Sequence, residues 1–261
     1  MLQSKLCQVA DFHSDWFRNA SERMKEPFRY HRKLWEFCFI YQALLERGML
    51  IPGNHGLGFG VGREPLPALF ASHGCKITAT DLPEHKAVEQ GWVGSNQHTS
   101  DVEGLNERGL CPPDVFARLV YFQPLDMNEI DASYYGKYDF TWSSCAFEHC
   151  GSIELGKRFL INQAKCLKPG GTAVHTTEFN LSSNDKTIGT GPVVLFRKQD
   201  IESMAEELNK SGYSMEVDFT VGTLPLERYI DFPPYHEDYH LKLLIGGYVS
   251  TSIGLIMTRD A

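Results

Sequence analysis

Between Gly56 and Gly62 the chain places glycine at every second position, in the run Gly56-Leu57-Gly58-Phe59-Gly60-Val61-Gly62. Few stretches restrict a fold so strongly. Glycine permits positive φ and lets the backbone approach a ligand that a Cβ would push away. Glu64 to Ser72 reads as a helix, with Pro65 at its start, where the missing N–H costs little. Lys76 to Thr80 then reads as a strand that ends on Asp81. An acid at such a strand tip can accept both hydrogen bonds of a ribose diol. Strand, glycine turn, helix, strand and acid together form a nucleotide-binding half-site at a topological switch point.

The dinucleotide fingerprint G-x-G-x-x-G/A fails, because it needs Gly or Ala where this chain has Val61 or Arg63. The pattern is G-x-G-x-G, carried by Gly58, Gly60 and Gly62. Three more stretches follow in order: Phe122 to Met127, Tyr138 to His149, and Cys166-Leu167-Lys168-Pro169-Gly170-Gly171. With these four, residues 50 to 180 resemble the class I S-adenosylmethionine-dependent methyltransferases. The resemblance implies a doubly wound, seven-stranded, mainly parallel α/β sheet whose last strand is antiparallel. It also implies S-adenosyl-L-methionine as cofactor. By the same resemblance Gly58, Gly60 and Gly62 form the cofactor turn, Asp81 with Leu82 meets the ribose, Asp126 with Met127 meets the adenine, and Ser143 completes the set. One position departs from the family, which carries an acid two residues before the first glycine; here that residue is Gly56. The methionine amino group then falls to backbone carbonyls or to another side chain.

The formal net charge of −8 argues against a nucleic-acid binder and against an anionic membrane surface as partner. Seven cysteines form no C-x-x-C pair, and the first residues lack the apolar core of a secretory leader. Both features point to reduced thiols in the cytoplasm. No run of 18 apolar residues suggests a membrane span. The length suits one methyltransferase domain over residues 51–261, preceded by an N-terminal helical extension or lid over residues 1–50.

Within that extension, Tyr30 to Arg47 has apolar residues at 34, 35, 38, 39, 41, 44 and 45, a helical stripe for docking on the sheet. Phe12 to Phe17 suits either a lid or an edge helix. From Leu82 to Ala117 no period is clear, and the excursion carries Trp92, Asn96, Gln97, His98 and Asp101, which suits a binding loop or a solvated one. Further strands are expected over 119–122, 138–142, 172–179, 215–219 and 248–257, with helices over 155–167 and 200–211.

Two residues are candidates for removing a proton from an acceptor. His149 follows the fourth strand, at the edge where a parallel sheet opens its ligand crevice; the alternative is that it caps or packs the next helix. Glu178 shares a face of the fifth strand with Thr176, near the mouth of the sheet, whereas His175 lies deeper and reads as a core residue. Asn180 to Asp185 is rich in small polar groups, which suit a hydroxyl-rich ligand or an ordinary loop. His236 and His240, four apart, would share a helical face and hold a metal only with further ligands, which no spacing supplies. The expected activity is methylation of a small molecule at oxygen, with a sugar or glycoconjugate as one acceptor class. Open alternatives are N-methylation of a small amine and a cofactor-binding scaffold without catalysis. The sequence leaves a homo-oligomer open.

Overall fold

The structure, a computed structural model, describes every residue except Gln90, Ser95, Asn96 and Glu103. The chain begins with strand β1 (Ser4–Leu6) and helices α1 (Val9–Phe12), α2 (Asp15–Arg23) and α3 (Arg32–Glu46). Then come β2 (His55–Gly58), α4 (Leu66–Ser72), β3 (Lys76–Asp81), α5 (Glu84–Glu89), α6 (Pro113–Leu119) and β4 (Val120–Pro124). The second half supplies β5 (Tyr138–Ser144), α7 (Ile153–Ala164), β6 (Leu167–Asn180) and α8 (Lys198–Lys210). It ends with β7 (Tyr213–Ser214), β8 (Val217–Asp218), β9 (Leu243–Ile245) and β10 (Tyr248–Arg259).

Among the described residues one sheet runs β4-β3-β2-β5-β6-β10-β1-β8, with β7 and β9 paired to the ends of β10. The pairs from β4 to β6 are parallel and β10 is antiparallel to β6. This is the doubly wound sheet that the resemblance implies, but it holds ten strands rather than seven. The additions are short. The penultimate strand is split into β7 and β8, β9 is a small hairpin arm, and β1 comes from the N-terminus.

That last feature adds a strand to residues 1–50, which otherwise carry the helices α1, α2 and α3. Lys5 pairs with Gly254 and Leu6 with Ile253 on β10, while Ser4 pairs with Val217 of β8. Three residues are too few to show an alternating pattern, so nothing in the sequence marked the strand. Gly254 is needed where it sits, because the Phe39 ring of α3 fills the space of its absent Cβ. The extension therefore shares the sheet and its core instead of lying outside it.

Both faces of the sheet are covered. On one, Trp35, Phe39, Phe70, Phe140 and Trp142 pack in a core built by α2, α3 and α4. On the other, Phe59, Phe147, Phe159, Phe196 and Met204 pack with α7 and α8. The chain runs outward from β2 to β4, then crosses to β5 and β6. The strand order thus reverses between β2 and β5, and the carboxyl ends of these two strands open a crevice there.

Candidate active site

The glycine turn follows β2 at this crevice. Phe59 N–H donates to the Trp142 carbonyl (2.9 Å) and Val61 N–H to that of Thr80 (3.0 Å), so the turn is pinned to both neighbouring strands. Gly60 and Gly62 have φ of +58° and +49°. A Cβ on Gly60 would lie 2.9 Å from the Ala146 methyl, and one on Gly62 would collide with the Gln97 carbonyl. Gly58 serves a different end: it does not line the crevice, and its missing Cβ makes room for the Trp142 indole. Gly60→Ala is expected to cost about 1–2 kcal/mol of stability through the left-handed backbone and the contact with Ala146. A thermal melt unchanged by the substitution would contradict this placement of the turn.

A cavity of about 850 Å³ opens above the turn. Gly60, Gly62, Asp81, Leu82, Asp126 and Met127 all line it, and so does His149. Asp81 is buried, and burial pushes its carboxyl up even though three backbone amides hold it. Gly62 N–H and Thr99 N–H donate to Oδ2, both at 3.1 Å, and Leu82 N–H donates to Oδ1 at 2.8 Å. Asp126 accepts from the Asn128 N–H (2.8 Å) and pairs with Lys86 (2.7 Å), an α5 residue.

The His149 ring is fixed from two sides. Its Nδ1 lies 2.7 Å from the Pro192 carbonyl oxygen, and Trp92 packs edge-on with centroids 4.5 Å apart. A carbonyl only accepts, so Nδ1 carries the proton, and in the neutral ring the lone pair is then on Nε2. The excursion after Leu82 contributes directly: Trp92, Gln97 and His98 line the cavity, and His98 Nε2 lies 2.7 Å from the Leu82 carbonyl. Asn96 lies outside the described residues, and Asp101 is not part of the wall. The excursion also contains α5 and α6, which its irregular pattern concealed.

Two expected site residues lie elsewhere. Ser143 is fully buried, its hydroxyl 2.7 Å from His175 Nδ1, and the wall is made by its successors Ser144, Cys145 and Ala146. Alternation along β5 turns Ser143 into the sheet interior. His175 is a core residue, as its depth suggested, and burial lowers its pKa to about 3. Glu178 does not line the cavity. It is buried, paired with Arg32, and accepts from the Ser250 hydroxyl at 2.5 Å.

Glu178 belongs to a buried charged network that the sequence did not reveal. Glu36 of α3 receives Lys33 (2.7 Å), Arg32 (3.4 Å), the Ser252 hydroxyl (2.5 Å) and the Ser144 hydroxyl (3.3 Å). Burial opposes its charge, yet Lys33 and Arg32 hold its carboxyl down at about 2. Lys33 also lines the cavity. A signal was available, since Glu36 falls on the helix face defined by Phe39, Ile40 and Ala43. Cys145, the residue after β5, adopts φ of +46°, a strained geometry for a residue with a Cβ.

The remaining candidates are accounted for locally. The Asn180 side chain accepts from the Ser182 and Ser183 N–H groups, and the Ser183 hydroxyl accepts from Asp185 and Lys186. Those polar groups are turn chemistry. His236 and His240 lie in an irregular segment, and their Nδ1 atoms sit 2.8 and 2.7 Å from the Asp231 carboxylate. Among the described residues no group of His, Cys, Asp and Glu is arranged to hold a metal ion. Likewise, no helix among them is long and apolar enough to cross a membrane.

The fold and the crevice define a doubly wound α/β protein with a ligand site at its switch point. More specifically, the chain has the class I methyltransferase fold. It is similar to a candidate sarcosine dimethylglycine methyltransferase from Galdieria sulphuraria (16% identity, 95% of this chain and 99% of that one, TM-score 0.54). Phosphoethanolamine N-methyltransferase 2 from Haemonchus contortus, in complex with S-adenosyl-L-methionine, matches at 14% identity over 85% of this chain and 52% of that one (TM-score 0.53). Magnesium protoporphyrin IX methyltransferase from Synechocystis PCC 6803, with bound SAH, matches at 14% identity over 97% and 98% (TM-score 0.50). No family model and no curated protein sequence matches the chain.

Proposed function

We propose that the protein is an S-adenosylmethionine-dependent methyltransferase that methylates a small molecule at a hydroxyl group. The observation that carries this reading is the convergence of the glycine turn, Asp81 and Asp126 with the fixed His149 imidazole on one cavity. The residues fit the cofactor: Gly60 and Gly62 leave a cradle that a Cβ would fill, and Asp81 stands at the tip of the next strand, where a ribose diol is recognised. Met127 and Leu125 give the wall its apolar patch beside Asp126. S-adenosylmethionine would supply a methyl group on a positively charged sulfur.

The chain's own contribution is position and a base. Displacement at a sulfonium needs the nucleophile held in line, a term that can supply several powers of ten. Nε2 of His149 can take the proton of a hydroxyl as it attacks, because Pro192 holds the other nitrogen in the protonated form. Trp92 against the ring limits its rotation. A sugar remains one hydroxyl class to test beside phenols, with amines as the contrasting class.

Calorimetry should show S-adenosylhomocysteine binding to the purified protein. Asp81→Ala should weaken it by about 1.5–3 kcal/mol through lost charge-assisted hydrogen bonds. Absence of binding to wild type, or binding of a nicotinamide dinucleotide in its place, would refute the reading. A screen with labelled methyl donor against pooled sugars, phenols and amines then identifies the acceptor.

A further inference from the structure

The cavity wall contains four carboxylates; Glu89 is exposed to solvent, and of the other three that a cationic ligand group could meet, two are already engaged. Asp81 holds three amide N–H groups and Asp126 holds Lys86. The third is Glu64, which enters the wall between the glycine turn and α4. It is only 7% exposed. Among the described residues its Oε1 accepts a single hydrogen bond, 2.5 Å from the Trp142 indole N–H. Lys33 of α3, the cation whose charge favours Glu64 ionisation, is held by Glu36 at 2.7 Å. A buried carboxylate without a counter-charge is costly, and burial accordingly pushes the Glu64 carboxyl up to about 8.

Gly56, which has no side chain, cannot help from the strand below, since the Phe140 ring occupies its Cβ position. Gly58 in turn admits the Trp142 indole that orients Glu64. The turn therefore presents one acidic side chain from the loop after the glycines and none from the strand before them.

We propose that Glu64 receives the α-ammonium group of the methyl donor's amino-acid end. This rests on the methyltransferase reading above and specifies the anchor that places the sulfonium in the cavity. It also makes donor binding proton-linked. With its carboxyl pushed up to about 8, Glu64 in the free protein is mostly the neutral acid at pH 7; when the ammonium arrives, the O–H proton leaves to solvent and the resulting carboxylate pairs with the intact –NH3⁺. The groups facing Glu64 are Lys33 and Glu36 from α3, Asp81 from β3 and the uncharged Trp142 from β5. Lys33 favours ionisation; Glu36 and Asp81 oppose it.

The test compares wild type and Glu64→Gln by calorimetry, with S-adenosylhomocysteine and with 5′-methylthioadenosine, which lacks the amino-acid end. Wild type should release close to one proton on binding S-adenosylhomocysteine at pH 7, read from two buffers of different ionisation enthalpy. Its affinity should rise by up to about tenfold per pH unit below pH 8. Glu64→Gln should bind S-adenosylhomocysteine about 10–100-fold more weakly and lose that proton release, yet bind 5′-methylthioadenosine as wild type does. The cavity histidines are present in both proteins, so the difference isolates the carboxyl. Equal binding of S-adenosylhomocysteine by both proteins overturns the inference. So does an equal loss for both ligands, which a misfolded variant or a purely structural Glu64 would give. A wild type that binds neither ligand overturns the donor reading itself.

Discussion

His149→Ala should lower the methyl-transfer rate constant by about 10²–10⁴ while leaving S-adenosylhomocysteine affinity within about threefold. The expectation follows from the two contacts on the ring. Pro192 fixes the proton on Nδ1, and Trp92 holds the plane, so Nε2 is kept as an acceptor at the cavity wall. Removing the imidazole removes the acceptor. A packing role gives another pattern, with a lowered melting temperature and activity that tracks unfolding. Asparagine discriminates further, because its amide can still donate to the Pro192 carbonyl but cannot act as a base. His149→Asn should therefore recover stability and not rate. A stable His149→Ala protein with near-normal turnover would take this residue out of the mechanism and favour an amine acceptor, which needs less help from a base.

The largest effect on stability is expected at Glu36. Glu36→Ala leaves Lys33 without its carboxylate and Arg32 with Glu178 alone, and breaking a buried ionic network in this way costs up to about 3–5 kcal/mol. The melting temperature should fall on the order of 10 °C. Glu36→Gln keeps the volume and can still accept from Ser252, so it should cost less. The carboxyl is lower in the folded protein, about 2, than its ordinary value of 4.5. Its stabilising contribution is thus present above pH ~4.5 and is lost as the pH falls toward 2. Wild type should lose stability through that window, and Glu36→Gln should lose correspondingly less. Superimposable acid-denaturation curves for the two proteins would show that Glu36 is not the group responsible.

The parts of the fold legible in the sequence were those in which one residue type answers one backbone demand. Gly60 and Gly62 have positive φ, and the strand before Asp81 alternates as a strand should. The crevice could be located because β2 and β5 end in recognisable turns at the reversal of strand order. What escaped depends on partners distant in sequence. Three-residue β1 has no pattern of its own and exists because β10 and β8 offer edges to it. Glu178 looked like a site residue because alternation correctly put it on a face, but alternation does not say that α3 covers that face with Arg32. Ser143 lies one step short of the cavity wall, since the strand runs on to Ser144 before the chain turns. Glu64 carries no sequence signal of a site, because it lies behind the glycines, whereas the resemblance places the acid ahead of them, at Gly56.

The three amides on Asp81 bear on what affinity means for this cavity. A carboxylate offers about four lone-pair directions, and Gly62, Leu82 and Thr99 already occupy three. A ribose diol bound there would need two, so one amide would have to withdraw. Gly62 and Leu82 belong to the frame of the turn and the strand end, whereas Thr99 sits on the long excursion. Its N–H is in effect a tethered competitor, present at the effective concentration its own chain imposes, which for short tethers is in the millimolar range. Occupancy of Asp81 by a nucleoside is then an exchange of one donor for another. The measured constant reports the surplus of that exchange, not the strength of the new hydrogen bonds.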